Sequence, residues 1–180
     1  MATIYWHGRR FEDGEEFERA YMEHQLDHFS QWTSPFGPLL VPKALPPDKV
    51  ALIQQCVDAS QAESQDGFVV AVAQAFDQGG WQCYDPVATF VFLSLGGGPH
   101  LQPLLDTLSS HKSAKVRERI GALIEEDVEA DPELIAREVK LAILRTLLED
   151  RSSSVRTRAV NALLTIGNCY KQTDREILQI

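Results

Sequence analysis

Cysteine is scarce in this chain: Cys56, Cys83 and Cys169 stand far apart, and no two form a CxxC pair. That spacing argues against a disulfide framework or a zinc ribbon and fits a reducing, cytoplasmic setting. Long apolar runs are missing too. No stretch approaches the roughly 18 residues of a membrane helix, and the first seven residues lack the basic-then-apolar order of a secretory leader. Excess positive charge is also absent. The net charge is −9, and residues 1–90 carry 13 Asp/Glu against 5 Lys/Arg. A nucleic-acid binder draws most of its affinity from basic residues that neutralise phosphate, so this field points to a cationic partner or to solubility, not to nucleic acid or membrane.

Catalytic signatures are equally thin. No serine sits in a GxSxG elbow, and no cysteine has an activating histidine near it in sequence, although Tyr84 and Asp85 beside Cys83 are read as a turn open to solvent. The run Gly96-Gly97-Gly98-Pro99-His100 continues as Leu-Gln-Pro, not as the Lys-Ser/Thr of a phosphate loop. A helix stop followed by proline accounts for it. His24 and His28 have the i,i+4 spacing that aims two imidazoles at one point, but no HExxH pattern and no third ligand accompany them. They are weak metal candidates, and no cofactor is called for.

What the chain does have is helical periodicity and an internal repeat. At 180 residues and 44% hydrophobic content it is long and apolar enough for a continuous core. The segment Asp150-Arg151-Ser152-Ser153-Ser154-Val155-Arg156-Thr157-Arg158-Ala159 has a degenerate copy 39 residues earlier, where Val116-Arg117-Glu118-Arg119-Ile120 aligns with Val155 to Ala159. Leu104, Leu105 and Leu108 align likewise with Ile143, Leu144 and Leu147. A period near 40 in helical sequence predicts stacked helix pairs. Helices are expected over about 48–63, 67–77, 85–95, 100–110, 113–130, 132–149 and 152–168, with a short one opened by Thr173. Asp85-Pro86 and Asp131-Pro132 serve as start signals.

The motif resembles the HEAT repeat family over residues 99–168. In that family a turn Asp is followed six residues later by Arg, just after a Val, as Asp150, Val155 and Arg156 stand here. The resemblance implies an all-α superhelix of antiparallel helix pairs. It also implies an Asp–Arg ladder in which Asp150 and Arg156 form one rung and His111 interrupts the preceding one. Such scaffolds bind proteins more often than they catalyse. The repeat domain is assigned to residues 48–180. Residues 1–47 are assigned to an arm that packs on it: an aromatic N-terminus, read as irregular in preference to a hairpin, an acidic helix with Phe17, Tyr21, Leu26 and Phe29 on its buried side, and a proline-rich extended connector.

On a helical wheel with Val116 at zero, Ile120, Leu123 and Ile124 share the core side, whereas Glu118, Glu125, Glu126 and Glu129 fall opposite. The equivalent surface one repeat later carries Asn161 among neutral residues. These five positions form the expected partner-binding face, with Asp127 counted in the same surface run of negative charge. The leading expectation is a non-catalytic scaffold that binds a basic protein, similar to the acidic immunity proteins that neutralise toxins. The alternatives are an adaptor or assembly subunit of a larger complex, or a HEAT-like enzyme such as a bilin lyase. Alkylpurine glycosylases share that build but need a basic cleft. The oligomeric state is left open by the sequence.

Overall fold

The computed structural model describes residues 4–6, 9–11, 15–16, 19–20, 23, 27–34, 37–61, 65–95, 101–129 and 134–169. They fall into two compact units, 1–46 and 47–180. The first contains two separate antiparallel hairpins: β1 (Ile4–Trp6) with β2 (Arg9–Phe11), and β3 (Phe29–Ser34) with β4 (Gly37–Pro42). In the first, Ile4 faces Phe11 and Trp6 faces Arg9, so the aromatic N-terminus is a hairpin and not an irregular arm. In the second, Trp32 pairs with Leu39 and Thr33 with Pro38. The proline-rich connector is therefore a strand pair. Proline forbids helix, but a two-stranded sheet consists only of edges, where a missing N–H can face outward. Phe29, placed on the helix by its spacing, belongs to β3. Phe17, Tyr21, Leu26 and His24 lie outside the described residues.

The second unit is helical among its described residues: α1 (Pro47–Gln61), α2 (Gln65–Gln78), α3 (Trp81–Leu95), α4 (Leu101–Ser109), α5 (Ala114–Glu129), α6 (Arg137–Leu148) and α7 (Ser153–Cys169). Each buries an apolar stripe. Leu104, Leu105 and Leu108 lie inward on α4, Val116, Ile120, Leu123 and Ile124 on α5, and Val155, Ala159, Ala162 and Ile166 on α7. α4 packs against α5 and α6 against α7, while α4 also meets α6 and α5 meets α7 over its length. Among the described residues, no helix is long and apolar enough to cross a membrane.

Two helix starts differ from the sequence reading. α3 begins at Trp81, not at Asp85-Pro86, and Pro86 sits inside it. Gly80 adopts φ 64°, a conformation open to glycine, and turns the chain at once. Beginning the helix early buries Cys83 and Tyr84 at 0% and 1% exposure. At roughly 1.5–3 kcal/mol per large apolar side chain, that burial offsets the ~3 kcal/mol of an interior proline. The supposed solvent-open turn at Tyr84 is thus the buried side of a helix.

α6 begins at Arg137, five residues after Pro132, and residues 134–136 are non-helical. The cause lies on α5. Asp127 accepts the amide hydrogens of Leu134 (2.8 Å) and Ile135 (3.1 Å), holding that segment out of helix. Its carboxylate also meets Lys140 Nζ at 2.7 Å, with both side chains fully buried. Asp127 therefore does not belong to the surface run of acids. The helix expected at Thr173 lies outside the described residues.

Candidate functional site

The two copies of the Val-Arg-x-Arg motif place two kinds of arginine. The first of each pair clamps a turn. Arg117 Nη1 donates to the carbonyls of His111 and Lys112, and Arg156 Nη1 donates to the carbonyl of Asp150 at 2.7 Å. Asp150 and Arg156 are therefore joined, but through the Asp150 backbone. The Asp150 side chain turns to the other copy: Arg117 donates to it through Nε and through Nη2 (2.9 Å), and the Ser152 amide adds a third bond at 2.7 Å. Those bonds, Arg117 first, hold the Asp150 carboxyl below the usual aspartate range and raise the Arg117 pKa. His111 keeps part of the turn by accepting the Ser113 amide on Nδ1 (3.2 Å). Ser113 Oγ in turn donates to Asp77 of α2 (2.6 Å), so the link to the preceding helix uses serine and not arginine.

The second arginines, Arg119 and Arg158, converge on Trp81. The Arg119 guanidinium lies 3.2 Å from the ring centroid and that of Arg158 5.2 Å, a cation–π arrangement on both helices. Trp81 is 46% exposed, yet Arg119 is only 4% exposed, and its Nε and Nη1 have no hydrogen-bond partner among the described residues. Gly121 makes the approach possible, because a Cβ there would stand 2.6 Å from Arg158 Cγ. Beside Trp81 opens a hollow of about 260 Å³, lined by Trp81, Tyr84 and Asp85 of α3, Ala122, Glu125 and Glu126 of α5, and Arg158 of α7.

Within it the acids divide. Glu125 is engaged: Arg158 Nη1 lies 2.9 Å from Oε2, and Thr165 Oγ1 donates to Oε1 at 3.2 Å. Glu118 lies 3.7 Å from Arg119. Asp85 and Glu126 are exposed and make no ion pair among the described residues, which leaves the hollow with three carboxylates against one guanidinium. Partial burial of its carboxyl, with the charges of Asp85 and Glu125, raises the Glu126 pKa against the opposing influence of the Tyr84 hydroxyl and Arg158. Tyr84 supplies the remaining polar group. Its hydroxyl is buried and makes no hydrogen bond of normal length and angle among the described residues, although Glu126 stands near enough for a weaker polar contact with it.

An orphaned buried hydroxyl costs stability, so Tyr84→Phe should raise the midpoint of thermal unfolding, consistent with about 1 kcal/mol of relieved desolvation. A fall of similar size would mean that the hydroxyl is bonded.

Of the five expected binding residues, then, Glu126 faces the hollow, Glu125 lines it while bound to α7, and Glu118 sits near Arg119. Asn161 is exposed on α7, away from the hollow's lining. The side chain of Glu129 lies outside the described residues. His28 is helical and exposed, and no group of three metal-ligating side chains occurs among the described residues. Cys56 and Cys83 are buried free thiols, and burial pushes Cys56 up to about 12, far from a thiolate at neutral pH. Trp81, Arg119 and Arg158 were missed by the sequence reading, although the last two align across the repeat, and Tyr84 and Asp85 were read only as a solvent-open turn beside Cys83. In comparisons with known proteins, the chain matches no family model, no curated protein and no solved structure.

Proposed function

We propose that this protein is a non-catalytic, HEAT-like scaffold that binds a basic protein through the surface where α3, α5 and α7 meet. The packing of α4 on α6 and α5 on α7, and the matching arginine clamps at 117 and 156, support a repeat stack in which the second helices line one face. The observation that carries the functional reading is the hollow at Trp81, where Asp85 and Glu126 present carboxylates that make no ion pair among the described residues. Uncompensated charge at a half-enclosed site is costly without a partner and useful with one. The free thiols at Cys56 and Cys83 suit a reducing compartment, and a cytoplasmic location belongs to this reading. A basic toxin neutralised by an immunity protein is one relationship of this kind; assembly onto a basic subunit is another.

The test is charge reversal at Asp85 and Glu126, which make no ion pair among the described residues. Asp85→Lys with Glu126→Lys should slow association with a basic partner by about tenfold or more at low salt and flatten its salt dependence. Glu125 is a poor choice because its loss also releases Arg158. Binding should also weaken as pH falls through the raised Glu126 titration, before ordinary carboxylates protonate. Partner affinity measured from neutral to mildly acidic pH checks this, and a flat profile would exclude Glu126.

A further inference from the structure

We propose that the hollow beside Trp81 is a seat for a single arginine side chain of the partner, with Asp85, Glu126 and the Tyr84 hydroxyl as its acceptors. This deepens the basic-partner reading and rests on it.

Charge sets the sign of the ligand. The lining carries three carboxylates against the guanidinium of Arg158. Even with Arg119, which lies against Trp81, the balance stays negative, disfavouring a phosphate or carboxylate and favouring a cation. Size sets its extent. About 260 Å³ holds one side-chain head and part of its stem and falls short of the roughly 300–1,000 Å³ of small-molecule pockets.

Hydrogen bonding separates guanidinium from ammonium. The Glu125 oxygens are already used by Arg158 and Thr165. What remains is a spread of acceptors on two helices: the carboxylates of Asp85 and Glu126, and the buried Tyr84 oxygen. A planar group with five donors in a fixed fork can reach several of these at once, whereas an ammonium acts as a point charge. Tyr84 is the second, independent mark of a ligand. Tyr84 is 1% exposed and lines the hollow, and its hydroxyl makes no hydrogen bond of normal geometry among the described residues, so an incoming N–H would complete it. The surroundings already accept this chemistry: one guanidinium lies against Trp81 and another is paired to Glu125.

The experiment uses the full chain labelled with ¹⁵N, following the Trp81 indole N–H, assigned against Trp81→Phe. The probes are N-acetyl-arginine amide and N-acetyl-lysine amide at low ionic strength. The arginine probe should give a saturable shift, with the lysine probe about fivefold or more weaker. Glu126→Gln should weaken the arginine probe about tenfold, and Tyr84→Phe severalfold. Because Tyr84→Phe should be at least as thermally stable as the wild type, its weaker binding would not reflect unfolding. Equal binding of the two probes, no saturable shift, or unchanged affinity in Tyr84→Phe would each overturn the arginine seat. The basic-partner reading has its own test: loss of partner association on reversing Asp85 and Glu126. A protein that binds its partner through these acids but shows no arginine preference would keep the first conclusion and lose the second.

Discussion

Replacing Lys140 with Met should destabilise the protein by about 3–5 kcal/mol, the largest single-site effect expected outside the apolar core. Lys140 and Asp127 are both fully buried, 2.7 Å apart, and the variant leaves a carboxylate in the interior without its cation. The damage would extend along the chain, since the same carboxylate holds the Leu134 and Ile135 amides and thereby sets where α6 begins. Asp127→Leu alone should cost a similar amount, by stranding Lys140 and two amides. The double variant is the informative one. A buried ion pair gains little over well-packed apolar groups, because desolvating both charges consumes most of their attraction. Lys140→Met with Asp127→Leu should therefore recover a large part of the loss, short of the two amide bonds. Chemical denaturation of all four proteins closes the cycle, and additive losses in the double variant would mean that the two side chains do not depend on each other.

The second large effect is expected at Asp150. Its side chain and that of Arg117 are 9% and 8% exposed, and the carboxylate takes two arginine bonds and the Ser152 amide. Asp150→Ala should cost about 3 kcal/mol, the range for stranding one partner of a largely buried pair plus the loss of the turn bond from the Ser152 amide. Arg156→Ala should cost much less, about 1 kcal/mol, because it removes one exposed bond to a carbonyl. Equal losses would contradict the placement of the strong rung between the two copies. The pair also sets a pH dependence. The Asp150 carboxyl is held below its ordinary range, so its contribution is complete above that range and is lost as pH falls through the lowered value. In Asp150→Asn that part of the acid dependence should vanish.

The sequence carried the helical layout and the core stripes because periodicity reports burial directly: Val116, Ile120, Leu123 and Ile124 are all inward. It also carried the Arg–turn clamp, though Asp150 spends its side chain on Arg117 rather than on Arg156. Charge identity misled the reading at Asp127. On the wheel it falls about 20° from Val116, on the core side, and there an acid requires a buried partner. Lys140 stands beside Leu141 and four residues before Leu144, both buried. Both signals were present and were outweighed by the neighbouring run of acids. The site was only partly legible for a different reason. Glu125 and Glu126 were found from their own helix, but Trp81, Tyr84 and Asp85 come from a helix outside the 39-residue register. Its start was set by Gly80 and the burial of Tyr84, against the Asp-Pro signal. Convergence between helices of unrelated register leaves no periodic trace.

The most direct test of the binding role is a side-by-side capture from the source cells, at low salt, on immobilised wild-type protein and on Asp85→Lys/Glu126→Lys of equal thermal stability. The account predicts a basic protein held by the wild type, free of nucleic acid, released by added salt and lost from the variant. Retention of the same protein by both baits would contradict it and would move recognition away from the Trp81 hollow.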